Sequence, residues 1–168
     1  MFNDGLTQLK EWLSGSWLNL AIAGHGWVMP ALQTVHILAV AVVLAGTLFI
    51  NLRVPGLAER GQPLAAVLDR FLWPVTVAVA VLALTGVLQI VGEPDRAMFR
   101  SLFWVKMAAT VVALALTWSQ RLALAAPYDT PALLPLRRSV AGLTVLLWLG
   151  VIVAGRWIAY SDPWPGAS

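Results

Sequence analysis

Five polar side chains interrupt the apolar segments of this chain at positions where they could bind a ligand. They are Gln33 and His36 in a first apolar segment, Gln89 in a second, Lys106 in a third and Arg156 in a fourth. An imidazole ring can ligate a metal through one nitrogen, whereas ammonium and guanidinium groups bind anions. Because ionisable groups inside a membrane are costly and usually functional, these side chains form the candidate site.

The apolar segments have the length that a helix needs to cross a bilayer, about 20 residues. The chain of 168 residues is 60% hydrophobic and 11% charged, with a mean hydropathy of +0.79, whereas a soluble domain has about 25% charged residues. The predicted spans are Pro30–Ile50, Phe71–Val91, Leu102–Trp118 and Ser139–Ala159. We therefore predict an all-α fold, an integral membrane four-helix bundle with up-and-down topology.

Composition also excludes several classes of function. The chain has no cysteine, which removes disulfides, iron–sulfur clusters, thiolate nucleophiles and covalent c-type haem attachment. Its net charge of +3 comes from scattered residues, so no basic face for nucleic acid is expected. No arrangement of nucleophile, base and orienting residue appears, so hydrolytic chemistry has no support.

Residues 1–26 are predicted to form an amphipathic interfacial helix and a linker. A helical stripe runs along this segment through Leu6, Leu9, Leu13, Trp17 and Leu20. Ser14-Gly15-Ser16 is a candidate break in this helix. Residues 27–160 are then the transmembrane domain, and residues 161–168 are a short C-terminal tail.

Loop charge predicts the orientation. The first and third loops between spans share one side of the membrane, and they hold Arg53, Arg60, Arg70, Arg121, Arg137 and Arg138. The other side holds Lys10, Arg96 and Arg100. Because cytoplasmic loops carry the excess of basic residues, both termini are expected in the periplasm, with the protein in a bacterial inner membrane.

The five polar side chains are predicted to lie at one depth. At a rise of about 1.5 Å per residue, each lies within about 10 Å of the same end of its helix, in the outer half of the membrane. Inward-facing stripes of small and polar residues, such as Lys106, Thr110 and Thr117, favour an interior pocket. We expect this pocket to be lined by one imidazole and two cationic groups.

An anionic cofactor suits this set of groups better than a bare cation. A b-type haem would use His36 as its iron ligand, and its propionates would pair with Lys106 and Arg156. A quinone or an anionic lipid headgroup is also compatible with the charges. Copper is the alternative metal, with Met29 and Met107 as further ligands beside His36.

Two motifs resemble known membrane families. The segment TVHILAVAVVLAGTLFINLRVPGL and the motif Phe103-Trp104-Val105-Lys106-Met107 resemble copper-resistance-D-type proteins and the haem-binding membrane protoporphyrinogen oxidases. The ALTGVLQI segment and the AGRWIAY ending are similar to a small uncharacterised four-span bacterial family related to both. The resemblance implies that His36 is the iron or copper ligand and that Lys106 is a second functional residue. Tyr160, in the AGRWIAY ending, completes the candidate cofactor-binding set.

The leading hypothesis is a membrane protein that binds b-type haem, as an electron-transfer or oxidoreductase component. Its expected partners are the lipid bilayer, a membrane or periplasmic redox protein, and further copies or subunits in an oligomer. A copper uptake or resistance protein is the second hypothesis. The third is a non-catalytic accessory subunit whose polar layer docks a partner or a lipid.

Overall fold

The computed structural model describes residues 2–58, 61–122 and 134–157, and within these ranges all regular secondary structure is α-helical. The helices are α1 (Phe2–Ser14), α2 (Trp17–Ala23), α3 (Val28–Arg53), α4 (Leu64–Gly92), α5 (Pro94–Met98), α6 (Ser101–Leu122) and α7 (Leu134–Trp157). Four of them, α3, α4, α6 and α7, are long and apolar enough to cross a membrane. The predicted all-α membrane bundle is therefore confirmed. Tyr160 and the tail at 161–168 lie outside the described residues.

The N-terminal segment forms two short helices where a single helix with a candidate break was predicted. The break falls at the expected position, because Ser16 caps α2: its Oγ accepts a hydrogen bond from the backbone N–H of Asn19 at 3.1 Å and donates one to the carbonyl of Leu13 at 2.6 Å. Residues 15 and 16 therefore turn the chain between α1 and α2.

The second span begins earlier than hydropathy alone predicts. Pro63, in an extended conformation, precedes the first turn of α4. The first turns of α4 are amphipathic. Their buried side contains Leu64, Leu68 and Leu72, which pack against Ile50 of α3, whereas Asp69 and Arg70 are exposed. An amphipathic extension of this kind has low mean hydropathy, which is why the predicted span began at Phe71.

Two helical hairpins build the bundle. The α3–α4 hairpin packs closely at Gly46, where a Cβ atom would overlap with Cγ2 of Val75. The α6–α7 hairpin joins it mainly through contact between α7 and α3, while the backbones of α4 and α6 do not approach each other closely. Trp148 fills the centre and is 2% exposed, in a cluster with Ala39, Val43, Val75, Ala78, Ala113 and Val151.

The buried hydroxyl groups of the bundle are satisfied within their own helices. Thr47, Thr85, Thr117 and Thr144 are all at most 4% exposed. Each donates its hydroxyl proton to the carbonyl oxygen four residues earlier, at 2.7 or 2.8 Å. Their oxygen lone pairs remain free to accept hydrogen bonds from other groups.

The three short helices, α1, α2 and α5, cover one end of the bundle, which we call the cap end. Asn19 of α2 donates a hydrogen bond of 2.7 Å to the carbonyl of Val91, at the C-terminus of α4. Leu6 of α1 packs in a buried cluster with Met98 and Phe99, beside α5. The cap thus satisfies and shields the end of α4.

Candidate functional site

Helices α3 and α4 bring a histidine and a threonine together below the cap. Nδ1 of His36 lies 2.7 Å from Oγ1 of Thr85. The ring is half-buried, and its Cε1 edge faces Gly86, where a Cβ atom would lie 3.7 Å away. Glycine at position 86 therefore leaves room for the imidazole against the backbone of α4.

The hydrogen bonds of Thr85 determine which ring nitrogen carries the proton. The hydroxyl has one proton, and Oγ1 of Thr85 donates it to the carbonyl of Val81 at 2.7 Å. With its proton on that bond, Oγ1 is an acceptor for Nδ1–H of His36, which favours the tautomer protonated at Nδ1. In the neutral ring, Nε2 then has a free lone pair, and it has no hydrogen-bond partner among the described residues.

Lys106 of α6 contributes a cation to the same space. Its ammonium group lies near enough to His36 for the two groups to interact electrostatically. Its stem runs along α7, where a Cβ atom on Gly155 would lie 3.6 Å from Nζ and 3.8 Å from Cε. Within the described part of the chain, no carboxylate pairs with this ammonium group. A half-buried cation of this kind is complementary to an anion.

The two glutamines differ in their surroundings. Nε2 of Gln89 is buried and has no hydrogen-bond partner among the described residues, which leaves a donor whose desolvation is uncompensated. Gln33 is half-buried on α3, one turn before His36. We call His36, Thr85, Gln89 and Lys106 the polar layer.

Arg156 has a different environment from the rest of the predicted set. It is exposed, and it makes an interaction of its own. It follows Gly155 directly, so it lies at the depth of Lys106 but on the outside of α7. Tyr160 falls outside the described residues.

Sequence reasoning missed Thr85 and Gly155 as parts of the site. A threonine in an apolar helix most often bonds its own backbone, and a glycine carries no chemistry. The only signal for Thr85 was its position one turn before Gln89 on the same span. Nothing in the sequence of α7 indicates that Gly155 accommodates the lysine of a different helix.

The predicted copper ligands do not converge on His36. Met29 packs with its sulfur 2.8 Å from the position of a Cβ on Gly92, beside Ile22 of the cap. Met107 is 40% exposed on α6. The described residues also contain no group of three His, Cys, Asp or Glu side chains that could hold a metal ion.

We predict that replacing Thr85 by valine changes the protonated nitrogen of His36. Valine has nearly the same shape but offers no acceptor to Nδ1–H, and an unsatisfied donor of this kind costs about 1 kcal/mol or more. In the wild-type protein, a long-range ¹H–¹⁵N spectrum of labelled histidine should show Nδ1 protonated and Nε2 unprotonated. Thr85→Ser keeps the acceptor and should keep that pattern. Identical ring spectra for the valine variant and the wild type would show that Thr85 does not set the tautomer.

Comparison with known proteins gives a family but no activity. A family model described as a family of unknown function (DUF6644) matches residues 9–161. No curated protein matches the chain. No solved structure matches it either. The matched range includes α2, α5 and the C-terminal part of α1, and it includes the whole polar layer.

Proposed function

Because the chain belongs to the family of unknown function DUF6644, we propose its function from the polar layer: it binds a b-type haem, or a similar anionic redox cofactor, at the cap end of the bundle. The observation that carries this proposal is the state of His36. Its Nδ1 is held by Thr85, and its Nε2 has no partner among the described residues. Metal-ligating histidines characteristically have one nitrogen held by the protein and the other directed at the metal.

Lys106 supports an anionic cofactor over a bare metal ion. A cation close to His36, without a carboxylate partner in the described ranges, would repel a free metal ion but stabilise a propionate. Gln89 adds a buried N–H donor that lacks a partner, and a carboxylate or carbonyl oxygen would satisfy it. Exposed Arg156 would reach a propionate only from the edge of α7.

Haem, when bound, supplies one-electron redox chemistry at its iron. His36 would bind the iron, and Thr85 would keep the imidazole ring in its ligating tautomer. Lys106 would pair with a propionate of the haem. The buried bundle core below, centred on Trp148, would exclude water. We infer a role as an electron-transfer or oxidoreductase component from this combination.

The resemblance of the first and third spans to copper-resistance-D-type proteins and haem-binding protoporphyrinogen oxidases supports the same choice of residues. Between these two classes the surroundings of the methionines favour haem, since the sulfur of Met29 lies beside Gly92 and Met107 is exposed. A copper function would need ligands from outside the described residues or from another chain.

An optical spectrum tests the proposal directly. Protein purified in detergent from haem-sufficient cells should show a Soret band, and dithionite should sharpen the α band as the iron is reduced. If the purified protein lacks these bands and haemin added in titration does not bind, the haem proposal is wrong. If substitutions in the polar layer then affected only the assembly of a larger complex, that result would indicate an accessory subunit.

We also propose that the protein lies in a bacterial inner membrane with its cap end in the periplasm. The four apolar helices indicate a multi-pass membrane protein. Arg53 and Arg70 lie toward the end of the bundle opposite the cap end, and basic residues of this kind favour the cytoplasmic side.

The absence of cysteine allows a simple test. An impermeant maleimide should label Ser14→Cys in intact cells but Gln62→Cys only after permeabilisation, and the reverse result would invert the orientation.

A further inference from the structure

We propose that α1 and α2 dock onto the membrane surface at the cap end, with Leu9, Trp12, Trp17 and Leu20 in the boundary between lipid headgroups and acyl chains. These four side chains define what we call the docking face. The occupant of this face is the lipid surface itself. The proposal does not depend on whether the polar layer binds haem.

Helix α1 has three faces of different character. The face toward the protein carries Leu6, Lys10 and Leu13. One flank exposes Leu9 and Trp12, which are 44% and 71% exposed. The opposite flank exposes Glu11 and Ser14. A helix that packs on a bundle with one apolar flank and one polar flank has the shape required at a boundary between hydrocarbon and water.

Helix α2 continues the apolar flank. Trp17 and Leu20 are 78% and 65% exposed, while Ile22, on the other side of the helix, is 5% exposed and packs near Gly92. The side-chain amide of Asn19 donates a hydrogen bond to the carbonyl of Val91 near the end of α4. Asn19 and Ile22 of α2 thus face the protein, whereas Trp17 and Leu20 face outward, and large apolar side chains on the outer face are not expected for a helix in water.

The distribution of charge and of tryptophan favours lipid over a protein partner. No Asp, Glu, Lys or Arg occurs between Glu11 and Arg53, so no such charged residue separates the docking face from α3 along the chain. At the same end of the bundle, Trp104 of α6 and Trp157 of α7 are 40% and 63% exposed. Outward-facing tryptophans on several helices form a belt around the protein, which is typical of a membrane boundary. A protein partner would instead contact a single patch.

Single-cysteine labelling of this cysteine-free chain tests the proposal. We would place an environment-sensitive fluorophore at Leu9→Cys, at Leu20→Cys and, as the matched control on the polar flank, at Ser14→Cys. The full chain would be reconstituted in phosphatidylcholine vesicles with a nitroxide on the acyl chain near the headgroup. The nitroxide should quench the labels at positions 9 and 20 severalfold more strongly than the label at 14, while aqueous iodide should show the opposite order.

Each other outcome contradicts docking to lipid. Equal iodide quenching at all three positions would place the docking face in water. Protection of positions 9 and 20 from both quenchers would show that a protein, either a second copy or another chain, covers the face. Far-ultraviolet circular dichroism of each labelled variant must match the wild type, and Trp17→Cys provides a second site on α2 if Leu20→Cys does not fold.

Discussion

Replacing His36 by alanine should remove at least nine-tenths of the bound haem, that is, reduce the ratio of Soret absorbance to protein by a factor of about 10 or more. In the proposed site His36 supplies the iron ligand, and its Nε2 has no other partner in the described chain. Iron without this ligand would be held only by propionate contacts to Lys106 and by apolar packing. The measurement is the pyridine haemochrome content of protein purified from haem-sufficient cells.

The second histidine of the chain provides a matched control. His25 is exposed, with Nδ1 at 2.9 Å from the carbonyl of Ala21, so His25→Ala should retain the full haem content. Free imidazole should restore part of the Soret absorbance to His36→Ala, because it can occupy the vacated space. If the haem content falls equally in both variants, or falls in neither variant, His36 is not the iron ligand.

Placing a methyl group on Gly46 should destabilise the bundle by about 1–3 kcal/mol, the usual cost of overpacking a tight contact. A Cβ at this position overlaps with Cγ2 of Val75, and the backbone carbonyl of Phe71 lies 3.7 Å away. Val75 is fully buried, so its side chain has no open space into which to move. Helices α3 and α4 would have to separate at this contact.

Thermal unfolding in detergent, followed by circular dichroism, would measure this effect. Gly46→Ala should lower the melting temperature. Gly150→Ala, on α7, is the control because a Cβ there meets nothing within 4 Å; alanine has the higher helix propensity by up to about 1 kcal/mol, so this variant should melt at the same temperature or higher. A Gly46→Ala variant as stable as the wild type would show that the hairpin does not depend on this approach.

The sequence predicts the spans well because the bilayer imposes a simple rule of length and apolarity. It predicts their ends less well, since the first turns of α4 are amphipathic and carry Asp69 and Arg70. Ser16 illustrates a local signal that is readable in advance: a serine after a glycine is a good N-cap, and it begins α2.

The site is predictable only in part because depth can be derived from residue number, whereas facing depends on tertiary packing. Counting residues from the helix ends predicts His36 and Lys106 at one depth, and the two side chains lie close enough to interact electrostatically. The same counting placed Arg156 with them, but the rotation of α7 leaves it exposed. The bond from His36 to Thr85 joins residues 49 positions apart, and no local pattern encodes such a pairing.

The contacts of the cap have a consequence for biogenesis. Asn19 bonds the carbonyl of Val91, 72 residues later in the chain, and Leu6 packs with Met98 and Phe99. The first two helices are translated before any of these partners exist, so these contacts can form only after the second long apolar helix and α5 have been synthesised. The N-terminal helices can therefore pack on the bundle only after the first two long helices have been synthesised. In a nascent chain truncated before residue 91, we expect these N-terminal helices to be accessible to protease.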